Sequence, residues 1–162
     1  MKKIAIGVSI LLVASLAYGG GFLKGGIIVH PDVGGISERW LISTGSDYYI
    51  GDMVALGLEI QTAYHSSNNI SSVPLNGFIN LKVRPNLSGV KPVVGVGFGL
   101  MSNLLWGDNV DLTFSKNTGM HLIGGLEFGM SHGPAFTVEL QALRSFATGA
   151  SFTYVILGGV RF

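Results

Sequence analysis

The stretch YHSSNN at Tyr64–Asn69 holds the clearest chemical grouping in the chain. His65 stands two residues before Ser67, with Asn68 following. On an extended strand, residues two apart share a face. The imidazole would then lie beside the hydroxyl, as a general base beside a nucleophile. The same residues also suit a polar turn carrying an incidental histidine. A non-enzymatic chain with no catalytic residue is therefore the first expectation, and His65 with Ser67 is the alternative pair. The other histidines, His30, His121 and His132, show no H-x-H or H-x3-H spacing. His30 and His65 form at most a weak two-ligand pair, so no metal and no cofactor are expected. Cysteine is absent, which excludes disulfides, thiolate metal sites and thiol catalysis. The glycines of GVGFG precede no helix and do not suggest a phosphate loop. A formal net charge of +1 gives no basic excess for nucleic acid.

A second grouping is spread along the chain and becomes visible through the elements that must carry it. Apolar residues alternate with polar or small ones, and glycines interrupt apolar runs such as VVGVGFGLM, which argues against helices. Alternation and turn signals predict eight strands: Gly21–His30, Ser37–Ile50, Met53–His65, Val73–Arg84, Pro92–Ser102, Thr118–Met130, Ala135–Phe146 and Ser151–Phe162. Short turns at Gly51–Asp52, Pro85–Lys91 and Ser131–Pro134 fall at one end. At the other end the longest connection reads as a loop, Asn103–Asn117, whose Trp106, Asp108 and Asp111 are candidate surface contacts. The strands are long for a soluble domain and match a tilted bilayer crossing.

In Met53–His65, one face carries Val54, Leu56, Leu58, Ile60, Thr62 and Tyr64, and the other Ala55, Gly57, Glu59, Gln61 and Ala63. Charged residues make up only 12% of the chain, too few to coat a soluble barrel. The inverse arrangement fits, with the bulky apolar face toward lipid and the small and charged face toward a lumen. Lys24, Arg39, Asp47, Glu59, Lys82, Arg84, Glu127, Glu139 and Arg161 then all point inward, five cations against four anions. An eight-stranded barrel is filled by its own side chains, and buried ions must pair. The expectation is an interior charge network and no open pore, with a narrow low-conductance pore as the alternative. Two aromatic girdles are also expected: Phe22, Tyr48, Phe128, Phe136 and Phe162 at the tight-turn end, and Trp40, Tyr64, Phe146 and Phe152 at the other.

The N-terminus supports export. Lys2 and Lys3 precede the apolar run Ile4–Leu16, and small residues follow, so cleavage is expected after Ala17 or Gly19. The predicted organisation is a signal peptide at 1–19 and one all-β domain at 20–162, a single closed eight-stranded antiparallel up-and-down transmembrane barrel.

The signal peptide, GFLKGGIIV, MVALGLEIQTAYH, VKPVVGVGFGL, GGLEFGMSHGPAFTVELQALR and YVILGGVRF together resemble the small eight-stranded outer-membrane β-barrel family of the OmpX, OmpA-transmembrane and opacity-protein type. The resemblance implies the bacterial outer membrane, reached through the secretory pathway, with tight turns periplasmic and longer loops outside. It implies lipid and lipopolysaccharide as surroundings, a monomer, and no nucleic acid. It also implies that the last strand, through Tyr154, Val160 and the terminal Phe162, is read by the outer-membrane assembly machinery. The outer loops are shorter than in adhesin-like members. His65, Ser67 and Asn68 resemble the H-x-S-N motif of lipid A deacylase barrels of the PagL type. That motif belongs on the penultimate strand, where this chain has LRSFATG, and the carboxylate position is filled by Ile79 or Asn80.

Overall fold

The computed structural model describes residues 20–30, 35–67, 70–85, 87, 89–107, 110–129 and 134–162. The expected signal peptide, Asp108 and His132 lie outside them, and Arg39 and Ser67 are placed by backbone alone. Nine hydrogen-bonded segments follow in order: β1 (Gly21–His30), β2 (Gly35–Ile50), β3 (Val54–Ala63), β4 (His65–Ser67), β5 (Ile70–Val83), β6 (Val90–Gly107), β7 (Val110–Gly129), β8 (Ala135–Ser145) and β9 (Thr153–Arg161). All pairings are antiparallel, β1 pairs with β9, and β5 takes both β3 and β4 along one edge. β3 and β4 are therefore one stave interrupted at Tyr64, and the wall is a closed barrel of eight staves.

Closure fixes the stagger. A path of ladder partners runs from Val29 through Tyr154, Ala142, Leu122, Val96, Leu81 and Leu56 to Tyr48. Tyr48 lies two places beyond the Gly21↔Ser46 pair and Gly21 eight places from Val29, so the circuit shifts by ten residues. That stagger tilts the strands and leaves an interior only wide enough for side chains.

The alternation decides the two faces. In β3, Ala55, Gly57, Glu59, Gln61 and Ala63 are buried, while Leu58 is 60% exposed. Ile79, Leu100 and Leu140 are similarly exposed, at 59%, 59% and 54%. A contiguous apolar exterior of this extent is far beyond what a water-soluble monomer shows, and it is the surface a bilayer requires. Among the described residues the ladders run right round the belt, and a closed wall of this kind keeps its backbone groups from lipid.

The interior is divided along its length. On the loop side, Ile28, Leu41, Ala63, Phe78, Leu143, Val155 and Leu157 form an apolar plug, with Met101 packed on it. In the run Val155–Ile156–Leu157, Ile156 is 45% exposed while Val155 and Leu157 are buried at 1% and 0%. Charged and amide side chains fill the turn side, where Gly20 and Phe162 also meet through a backbone bond of 3.1 Å.

Three sequence expectations are corrected. The stretch Asn103–Asn117 is not a loop: β6 continues to Gly107 and β7 begins at Val110. The ladder runs on through Leu104↔Phe114 and Leu105↔Thr113, and on β7 Leu112 and Phe114 alternate with polar neighbours. Phe22 does not join a girdle. It shares parity with Lys24, points inward and is 1% exposed, whereas Tyr48 and Phe136 are 74% and 69% exposed. Lys91 is not a turn residue; it lies within β6 and is buried.

Candidate functional site

The lumen is the one place where chemistry-bearing side chains converge among the described residues. Strand parity sends every second residue inward, and the ten-residue stagger brings charges from distant strands to common levels.

Nearest the turns, Glu127 on β7 accepts from Arg161 on β9 twice, Nε to Oε2 and Nη2 to Oε1, both at 3.0 Å. Arg84 Nη1 also donates to Glu127 Oε1. The paired donors are the geometry a guanidinium fork prefers. Tyr49 lies against both guanidinium groups, 4.4 Å from Arg84 and 5.8 Å from Arg161. One level up, Lys82 Nζ bridges the two Asp47 oxygens at 3.0 and 3.1 Å. Lys24 Nζ donates to Glu139 Oε1 at 2.7 Å. The Phe22 ring lies between the two ammonium groups, 4.0 Å from Lys24 and 4.7 Å from Lys82. Its π-face stabilises both cations without a further anion.

Mid-lumen, Glu59 is fully enclosed and accepts four kinds of donor. Ser43 Oγ, Gln61 Nε2 and Gln141 Nε2 donate to Oε1 at 2.6, 2.9 and 3.1 Å, and Asn80 Nδ2 donates to Oε2 at 2.8 Å. Gln141 Nε2 also donates to Glu139 Oε2 at 3.0 Å, which ties the middle level to the one below. Because the Asn80 nitrogen faces Glu59, its Oδ1 faces His121 Nε2 at 2.7 Å. Both ring nitrogens of His121 face amide oxygens, Nε2 that of Asn80 at 2.7 Å and Nδ1 that of Gln141 at 3.3 Å, and the shorter contact assigns the proton to Nε2. The imidazole stacks on Phe78, centroids 4.1 Å apart, at the base of the plug. Gly97 makes this possible, since a Cβ there would overlap both His121 Nε2 and Asn80 Oδ1. Gly57 gives Asp47 Oδ1 its space in the same way.

Lys24, Asp47, Glu59, Lys82, Arg84, Glu127, Glu139 and Arg161 thus meet inside the wall. The sequence-based charge network leaves out Lys91, read as a turn residue, Phe22, read as a girdle residue, and the neutral polar side chains Asn80, Gln61, Gln141 and His121, all buried. Strand parity was the signal available for them. The alternative pair is less assembled. His65 opposes Ser72 across the β4–β5 ladder, Ser67 opposes Ile70, and Asn68 lies outside the described residues. No group of three histidine or carboxylate side chains suited to a metal occurs among the described residues. On the closing strand, Tyr154 is 36% exposed, and Val160 and Phe162 are half-buried.

No family model and no curated protein matches the sequence. Solved structures do match the fold. Neisserial surface protein A superposes with a TM-score of 0.68 at 10% identity, over 88% of this chain and 96% of that one. The N-terminal β-barrel domain of Pseudomonas aeruginosa OprF gives 0.60 at 11% identity, over 89% and 97%. The outer-membrane enzyme PagL gives 0.54 at 11% identity, over 87% and 98%. The fold of this chain is thus that of small eight-stranded barrels, the outer-membrane proteins just named among them, and its exposed apolar belt is the surface a bilayer requires.

Proposed function

We infer that the chain is a structural and surface-interaction protein of the bacterial outer membrane: a closed, non-enzymatic, non-conducting barrel that carries a rigid sheet above the lipid. The supporting observation is the β4–β7 extension. Counted from Phe128, an apolar band of ~25 Å, with a rise of ~3.4 Å per residue and a tilt of ~45°, ends near Thr118. Leu112 lies six residues further along β7, about 14 Å beyond the band by the same rise and tilt. Leu112 and Phe114 are 70% and 58% exposed on this extension. The β7–β8 ladder begins only at Gly119↔Ser145, so β7 above it has an edge without a ladder partner among the described residues. An open edge next to apolar side chains can accept an added strand from another polypeptide.

Lipid and lipopolysaccharide surround the belt in this reading, and the assembly machinery reads the closing strand through Tyr154, Val160 and Phe162. The test compares adherence to cultured epithelial monolayers by cells displaying the wild type or Leu112→Lys/Phe114→Lys. Adherence should fall several-fold at equal surface display. Equal adherence would remove the surface-interaction role. Lipid A masses from the same cells bear on the enzymatic alternative. A mass change that disappears in His65→Ala would replace this reading with a lipid-modifying one.

A further inference from the structure

The turn-side half of the lumen offers more hydrogen-bond donors than its own residues use. A cavity of about 20 Å³ lies between the ion pairs, room for about one water-sized particle. Two of its lining side chains each carry a buried polar atom, Arg84 Nε and Thr137 Oγ1, with no hydrogen-bond partner among the described residues. Thr137 is only 6% exposed. A guanidinium Nε–H can only donate, and a hydroxyl is free to donate. The structure therefore leaves two unused donors on side chains that line one small space.

The charges around that space do not balance. Lys24, Lys82, Arg84 and Arg161 line it, against Asp47, Glu127 and Glu139. Glu59, one level higher, adds an anion whose oxygens are already taken by four neutral donors. Buried Lys91 adds a further cation. Among the described lumen side chains, one positive charge is left without a counterpart, and an uncompensated charge away from water is costly. A water molecule would satisfy the two donors and leave that excess in place.

We propose that this space binds one small monovalent anion of the chloride class, held by Arg84 Nε–H and Thr137 Oγ–H among the four cations. The ion enters from the turn side, because the apolar plug closes the other end. Tyr49 and Phe22 hold the cations in place by ring contact, so the site is built before the ion arrives.

Two measurements test the site on the full detergent-solubilised barrel. Crystals grown in sodium bromide should show one anomalous peak within hydrogen-bond reach of Arg84 Nε and Thr137 Oγ1. The unfolding midpoint in sodium chloride should exceed that in sodium gluconate at equal ionic strength, rising with chloride to a plateau. Thr137→Val and Arg84→Lys should each remove at least half of that increment. Thr137→Val, nearly isosteric, keeps the test valid if the arginine variant does not fold. Equal midpoints in the two salts, or a water in place of bromide, overturn the proposal. So does a bromide peak without any chloride dependence in solution, which means an adventitious ion only.

Discussion

The Lys24–Glu139 pair gives the most direct measure of how dry the lumen is. It joins β1 to β8 at 2.7 Å, with side-chain exposures of 2% and 5%. Replacing Lys24 by Met keeps most of the stem and removes the ammonium. Glu139 then retains the Gln141 Nε2 donor at 3.0 Å and loses its counter-charge. Breaking a buried pair from one side costs about 3–5 kcal/mol, against ~0–1 for a solvent-screened one. The surviving amide donor places the expectation near the lower end, about 3 kcal/mol. Glu139→Leu alone should cost a similar amount, because Lys24 keeps only the Phe22 face. The double variant Lys24→Met/Glu139→Leu leaves no orphaned charge and should recover most of the loss, costing about 1–2 kcal/mol in all, so that the double-mutant cycle gives a coupling energy of about 4–5 kcal/mol. Equilibrium urea unfolding of the barrel in lipid vesicles supplies the four free energies, and gel mobility with and without heating confirms closure. Additive single effects, with coupling below about 0.5 kcal/mol, would refute the argument, because they mean that water reaches and screens the pair.

Other consequences of the arrangement are equally open to measurement. Gly97→Leu should destroy closure, since its side chain would occupy the space of His121 and Asn80; a heat-modifiable band of normal intensity would contradict this. The plug should hold the lumen shut to ions: planar bilayers with wild-type barrel should stay silent, and Phe78→Ala/Leu157→Ala should give measurable current. Channels of equal conductance in both proteins would show that the ion path avoids the plug. Deleting Phe162 should lower the fraction inserted in the outer membrane several-fold while leaving unassisted folding in detergent nearly unchanged. Loss of both together would point to packing instead of recognition.

Strand parity was enough to read the wall. β3 shows why: five inward residues that are small or polar alternate with bulky apolar ones, and no other face assignment avoids placing Glu59 in lipid. Phe22 escaped because aromatic residues near strand ends suggest a girdle by type, while its parity with Lys24 points inward. Lys91 escaped because Pro85–Lys91 is rich in turn residues, so the start of β6 was hidden. The extension beyond Ser102 escaped for the opposite reason. Its asparagines, serine and lysine look like a loop, yet above the membrane a strand needs no apolar inward face, and period-two alternation persists on β7 in Leu112 and Phe114. The levels of the lumen were not legible at all. Which cation meets which carboxylate depends on the stagger between strands, a property of closure that no local stretch encodes.

The pairing of β1 with β9, from Phe22↔Arg161 to Val29↔Tyr154, has a temporal consequence. The partner of the first strand of the barrel is its last, so the edge groups of β1 that face β9 have nowhere to bond until every strand between them has been made. In lipid such groups are strongly penalised. The seam therefore couples membrane insertion to closure of the ring: until the nine residues of β9 arrive, the β1 edge stays open and the wall stays exposed at one line. Closure is thus an all-or-none event that the topology itself imposes on the barrel.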